Sequence, residues 1–335
     1  MFHYKMFFLI ILMMSSLISI SSSTWMGMWL GLEMNLLAFI PLMQENNKPL
    51  TSESSIKYFL TQALASTLLL FSMILLSKNF LIMKNINNTI MIMFNSMLLM
   101  KMGMAPFHFW FPEVMEGLSW NNCLILMTWQ KITPMILIMY NFSFSYFFSS
   151  IIIYSMLISS FLGINQISLR KMLTFSSINH MAWMLSTMLF SEIIWKFYFI
   201  IYMILNLNMI MIFKFYQIFV LNQLFNLLQQ NFLLKFLFSL NFLSLGGLPP
   251  FIGFFPKWLT IQFMIQANWI YLSFLMVLLT LLTLFFYMRL IYNFILFNHS
   301  EMKFSFSTKN NYFFLIMLNM MTLFSLILFS IYLNF

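Results

Sequence analysis

An all-α fold of about eleven membrane-crossing helices follows from three features of this sequence. Of its 335 residues, 62% are hydrophobic and only 7% are charged, whereas a water-soluble domain carries about 25% charged residues. The apolar residues come as runs of about 20, the length that crosses roughly 30 Å of hydrocarbon at 1.5 Å per residue. Inside lipid the backbone must satisfy its own hydrogen bonds, so such runs are helices.

In chain order, hydropathy places spans at 5–21, 24–44, 54–77, 87–104, 119–140, 143–165, 170–190, 193–221, 233–265, 268–296 and 312–334. The first looks like a signal peptide, with Lys5, an apolar run and then small residues. Followed by so many further spans, it is read as a retained first helix. The stretch 233–265 is too long for one crossing and contains Gly246-Gly247-Leu248-Pro249-Pro250. Proline lacks the donor and clashes with the preceding turn, so a break is expected there. Gln44–Thr51 and Asn298–Asn311 read as loops within one membrane domain, 1–335.

An odd number of spans puts the termini on opposite faces. Lys5, Lys48, Arg170, Lys171, Lys303 and Lys309 fall on the N-terminal side, and mainly Lys78, Lys84 and Lys196 on the other. The positive-inside rule then points the N-terminus inward, to the matrix if the membrane is mitochondrial. The composition suggests that it is. All seven acidic residues are Glu, and 35 Met and 44 Phe suit an AT-rich genome that reads an extra isoleucine-type codon as Met. The net charge of +9 comes from scattered cations, without the basic stripe that follows a nucleic-acid backbone. The single Cys123 excludes an intrachain disulfide and Cys-based metal or iron–sulfur sites.

A repeat is embedded in the chain. Gly103 to Pro112 and Gly247 to Pro256 both read G-x-x-P-F-x-x-x-F-P, followed by Glu113 in the first copy and Lys257 in the second. Generic loop chemistry is the competing explanation, since Gly, Pro and Phe are common at membrane breaks. Paired Gly/Pro-interrupted helices are nonetheless the mark of transporters built from repeats. A break exposes backbone groups at membrane depth, so it lines water or is buried in protein. The first copy ends the fourth span and the second interrupts the ninth, five spans on, which suits inverted topology.

Glu33, Lys101, Lys131 and Lys257 sit well inside the predicted spans. Each costs about 2.5–3.5 kcal/mol on insertion scales and asks for a reason. Snorkelling is the alternative for the lysines, and a structural carboxyl for Glu33. Lysine holds its proton less firmly when desolvated and more firmly beside a carboxylate. Moving Glu33 toward or away from Lys101 would therefore load or release a proton. His108 in the first break and His180 in 170–190 are candidate relays, with a backbone-bound structural histidine as the alternative. Gly27 and Gly31 form a small-xxx-small pattern that permits close helix contact.

At these same residues the chain resembles the antiporter-like subunits of mitochondrial NADH dehydrogenase (respiratory complex I), the subunit 2 family in its arthropod-like form. The stretches that carry the resemblance are Trp29–Pro41, Lys57–Gln62, Lys101–Glu113, Thr128–Lys131, Asn165–Lys171, Ser176–His180, Leu243–Pro250 and Pro256–Trp258. It runs from about residue 24 to 295, and the regions 141–155, 215–240 and 297–335 match poorly. The resemblance implies two inverted five-helix repeats with broken helices, about 5–140 and 143–296, plus a final helix at about 312–334. It implies that Glu33 is the key carboxylate, Lys101 its partner, Lys131 the central-axis lysine and Lys257 the lysine after the second break. His108 and His180 match histidines on the hydrated axis.

The function so implied is proton translocation across the mitochondrial inner membrane, coupled to ubiquinone reduction in other subunits. NADH, FMN, iron–sulfur clusters and ubiquinone would bind those other subunits; no cofactor and no metal is expected on this chain. Neighbouring antiporter-like subunits, small accessory subunits and membrane phospholipids, cardiolipin among them, are the implied partners, and nucleic acid is not. The C-terminus would face the intermembrane space. A free-standing cation/proton antiporter is one alternative, against which the lack of Asp counts. A non-conducting spacer of the membrane arm is another.

Overall fold

The computed structural model describes residues 2–44, 48–78, 84–142, 144–230, 232–249, 251–296 and 319–320. The final predicted span at 312–334, apart from 319–320, lies outside these residues, as do the loop after Asn298, Lys303, Lys309 and Pro250. Fourteen α-helices are named among the described residues. Seven segments among them are long and apolar enough to cross a membrane, at His3–Ser21, Trp25–Met43, Pro49–Ser77, Trp120–Tyr140, Ser145–Ile164, Glu192–Tyr216 and Ile270–Asn293. They match seven of the eleven predicted spans. Of the rest, 87–104 and 170–190 form helices too polar for that criterion, and 233–265 is split into two short helices.

The chain divides into two units, Met1–Ser155 and Met156–Phe335. In the first, α1 (Phe2–Ser21) and α2 (Trp25–Met43) form a tight hairpin. The Thr24 side chain accepts from the Gly27 N–H at 3.3 Å and starts α2, as N-cap residues do. A Cβ on Gly31 would lie 2.7 Å from the Ser19 Cβ and 2.9 Å from the Ser15 carbonyl. The glycine is therefore what lets α2 press against the small serine face of α1. Next come α3 (Pro49–Lys78), α4 (Lys84–Met102), α5 (Trp110–Gly117), α6 (Trp120–Met127) and α7 (Trp129–Tyr140). Helix α3 packs on α2, α4 and α5, while α7 packs on α1, α4 and α6.

The predicted span 119–140 is not one regular helix. Thr128, at φ −112 and ψ −73, separates α6 from α7. Its hydroxyl donates back to the Leu124 carbonyl at 2.6 Å, and Pro134 inside α7 brings no amide N–H to the helix.

After α8 (Ser145–Ile164), the second unit contains α9 (Leu169–Met188) and α10 (Glu192–Tyr216), then α11 (Leu221–Gln230), α12 (Phe232–Gly246), α13 (Phe254–Gln266) and α14 (Ile270–Leu296). Every residue of α9 from Met172 to Met188 is buried. Helix α10 packs on α9, α12 and α13, and α14 on α12 and α13. The predicted span 193–221 stops early, because Gln217 turns left-handed at φ 49. Ser168 and Val220 then pair as an isolated antiparallel bridge, and α11 begins anew.

Candidate functional site

Both predicted interruptions are built the same way. Helix α4 ends at Met102, and Gly103 takes φ 74. Its N–H bonds to Met100 O at 3.1 Å, and that of Met104 to Leu99 O at 3.1 Å. Helix α12 ends at Gly246, and Gly247 takes φ 77. Its N–H bonds to Ser244 O at 3.1 Å, and that of Leu248 to Leu243 O at 3.3 Å. This paired 5→2 and 6→1 closure is the Schellman motif, which needs a left-handed residue and so favours glycine. In each copy the next helix starts seven positions on, at Trp110 and Phe254.

In the first unit the interruption gathers ionisable groups around a small void. Lys101, one residue before the end of α4, is buried, and Lys131 on α7 is 2% exposed. The two line one cavity of about 20 Å³, measured for the centre of a water-sized sphere, with Asn35, Tyr58, Gln62, Gln130 and Thr133 among its other walls. One water needs about 10–15 Å³ by that measure. Gln130 donates to Asn35 at 2.8 Å across the void's edge. Among the described residues, Gln62 Nε2 and Thr133 Oγ1 are buried without a hydrogen-bond partner. Each such orphan costs about 1–3 kcal/mol, which a water in the cavity would relieve.

Lys131 Nζ stands 4.5 Å from the centre of the Phe111 ring. A desolvated cation gains about 2 kcal/mol over such a ring face. Phe111 follows the interruption, so the break itself supplies part of the lysine's surroundings. Glu33 on α2 is partly exposed and lies within electrostatic reach of Lys101, without an ion pair between them. It does not line the cavity. His108 is 2% exposed inside the interruption, its ring 4.4 Å from that of Phe109 and its Nδ1, among the described residues, without a hydrogen bond. Glu113, which occupies the repeat position of Lys257, faces outward and pairs with Lys57 at 2.8 Å, as does Glu53.

In the second unit Lys257 is buried, and its Nζ donates to the Gly246 carbonyl at 2.8 Å. His180 on α9 is buried, and its Nδ1 lies 3.0 Å from the Tyr198 hydroxyl. Tyr202, one turn further along α10, sets its ring 5.3 Å from the imidazole. Its hydroxyl adjoins Ser177 and Asn206, while the Tyr287 hydroxyl adjoins Ser176. Asn179 donates to Thr283 at 2.9 Å.

Sequence reasoning missed this polar cluster, and it also missed Gln62, Asn35, Gln130 and Thr133. A signal existed for the first, because Tyr198, Tyr202 and Asn206 recur every four residues on one face of α10. Among the described residues, no three His, Cys, Asp or Glu side chains are grouped as a metal site.

Matched interrupted helices with buried lysines beside them define a polytopic membrane protein of the antiporter-like class. Residues 22–283 match the family described as NADH:quinone oxidoreductase/Mrp antiporter, TM. The NADH-ubiquinone oxidoreductase chain 2 of Anopheles gambiae is 52% identical over 309 residues, covering 91% of this chain and 89% of that one. The protein of the same name from Bos taurus is 39% identical over 291 residues, 85% and 84% of the two chains. A chain of respiratory complex I from Thermus thermophilus, with bound Aureothin, superposes with a TM-score of 0.84 at 20% identity, over 98% of this chain and 78% of that one. The chain belongs to the NADH:quinone oxidoreductase/Mrp antiporter family and, within it, to the NADH-ubiquinone oxidoreductase chain 2 proteins.

Proposed function

We propose that this chain carries protons through Glu33, Lys101, Lys131 and Lys257, with His108 and His180 as relays, while quinone is reduced elsewhere in the same complex. It is a core membrane-arm subunit of respiratory NADH:ubiquinone oxidoreductase and works beside the other subunits of that complex. The observation that carries the proposed path is the water-sized cavity shared by Lys101 and Lys131, with Gln62 and Thr133 orphaned at its wall. A row of titratable groups joined by water needs neither metal nor nucleophile. Moving one charge through 100 mV costs about 2.3 kcal/mol, comparable to making or breaking one buried charge contact.

The finer architecture belongs to the same reading: eleven spans, inverted repeats at about 5–140 and 143–296, and a final helix at 312–334. The two matching Schellman closures support the repeat. The N-terminus is placed in the matrix and the C-terminus in the intermembrane space of the mitochondrial inner membrane, by the distribution of Lys and Arg. NADH, FMN, iron–sulfur clusters and ubiquinone are assigned to other subunits.

The test is Lys131→Met in the intact complex, reconstituted in sealed vesicles. Fewer protons moved per NADH, with normal assembly, is the expected result. An unchanged ratio would make the chain a spacer that seals the membrane arm.

A further inference from the structure

A second cavity, in the Met156–Phe335 unit, is unlike the first. It is open, holds about 540 Å³ by the same measure, and is walled by the end of α8, the loop after it, α11 and the last turns of α14. Its apolar wall includes Phe225 and Phe286, while Arg289, Asn165, Asn222 and Asn293 give it polar groups. Among the described residues, no carboxylate lines it and Arg289 has no ion-pair partner. The Arg289 guanidinium is an exposed cation.

Depth in the membrane says what such a cleft meets. Asn165 directly follows the Ser145–Ile164 span, and Asn293 lies in the last turn of α14, which ends at Leu296. Both ends meet at one cleft, which puts it at the level of the lipid headgroups. Helix α11 reads Leu-Asn-Gln-Leu-Phe-Asn-Leu-Leu-Gln-Gln, the strongly amphipathic pattern of a helix that lies in that interface. It follows the left-handed turn at Gln217 that ends α10.

We propose that this cleft binds an anionic phospholipid, its phosphodiester held by Arg289 and the carboxamides of Asn165, Asn222 and Asn293, its acyl chains lying on Phe225 and Phe286. Arginine's planar fork matches two phosphate oxygens at once, and amide N–H groups complete the shell. The apolar wall supplies what free phosphate cannot use. The lipid also holds α11 against α14, two elements joined in the chain only through the interrupted pair α12 and α13. The inference rests on the membrane placement of the chain and not on the proton path.

The test uses the intact complex in mild detergent with two photoactivatable probes, phosphatidylglycerol and phosphatidylcholine, each bearing a diazirine on an acyl chain. After illumination, the peptides carrying Phe225 and Phe286 are mapped by mass spectrometry. The anionic probe is expected to label both about tenfold more than the zwitterionic one. Arg289→Gln should abolish that preference and Arg289→Lys should keep part of it, with inorganic phosphate failing to compete. Equal labelling by both probes, labelling indifferent to Arg289→Gln, competition by inorganic phosphate, or no label at these peptides would each overturn the proposal. The last result would mean that protein fills the cleft.

Discussion

Lys257 Nζ donates a 2.8 Å hydrogen bond to the carbonyl of Gly246, the residue that ends α12 at the second interruption. The carbonyls at a helix C-terminus lack intrahelical partners and carry the negative end of the helix dipole. The lysine thus meets both needs of a broken helix, for a donor and for a cation. A Cβ on Gly247 would lie 2.8 Å from both Cδ and Nζ of that lysine.

Gly247→Ala should therefore act through Lys257. A left-handed non-glycine residue costs about 1–2 kcal/mol, and the methyl displaces the ammonium. The expected outcome is an assembled complex with fewer protons moved per NADH. Lys257→Met added to Gly247→Ala should lower the yield little further, because the two act on one contact. Fully additive losses would separate them.

Gly31→Val tests the α1–α2 hairpin. The new side chain meets Ser19 and the Ser15 carbonyl, so the helices must part at a cost of about 1–3 kcal/mol. Less assembled complex on blue-native electrophoresis is expected, and Gly31→Ala should be milder. Normal assembly with valine would show that the hairpin has slack the packing does not suggest.

The sequence made the two main interruptions legible because Gly and Pro forbid a regular helix wherever they fall, whatever packs around them. The buried lysines were legible for a similar reason, since a charge inside an apolar run always carries a cost. The break at Thr128 was not, because threonine has no such veto; its hydroxyl there returns to the Leu124 carbonyl, a bond that threonine can also make inside an unbroken helix. Helix α11 was hidden by hydropathy alone, which ran α10 on to 221 and missed the turn at Gln217. Glu33 illustrates the limit most clearly. Its depth in α2 was readable, yet only packing decides that Asn35 and not Glu33 lines the cavity.

Tyr198→Phe removes the hydroxyl 3.0 Å from His180 Nδ1 and no other heavy atom. A net loss of about 0.5–1.5 kcal/mol in stability is expected for one such bond, read as a lower melting midpoint of the complex. The imidazole also loses the partner of its Nδ1, and the bonds a histidine makes set where it holds its proton, so the pH profile of turnover should shift. A shifted melt with an unmoved profile would assign Tyr198 to structure alone.

Gln62→Leu and Thr133→Val separate a wet cavity from a dry one by sign. In a dry cavity each change deletes an unsatisfied buried group and should leave the protein unharmed or more stable. In a wet one each removes an anchor of the water between Lys101 and Lys131. We expect proton-coupled turnover to drop about tenfold, the effect of about 1.4 kcal/mol on a transfer step. Turnover should be measured beside the melt.

Water itself is the most direct witness. A map of the intact complex at a resolution that shows ordered solvent should place a water in the cavity bounded by Lys101 and Lys131, within about 3.2 Å of Gln62 Nε2 or Thr133 Oγ1. A dry cavity there, with both side chains bonded to protein instead, would contradict the proton path at its centre.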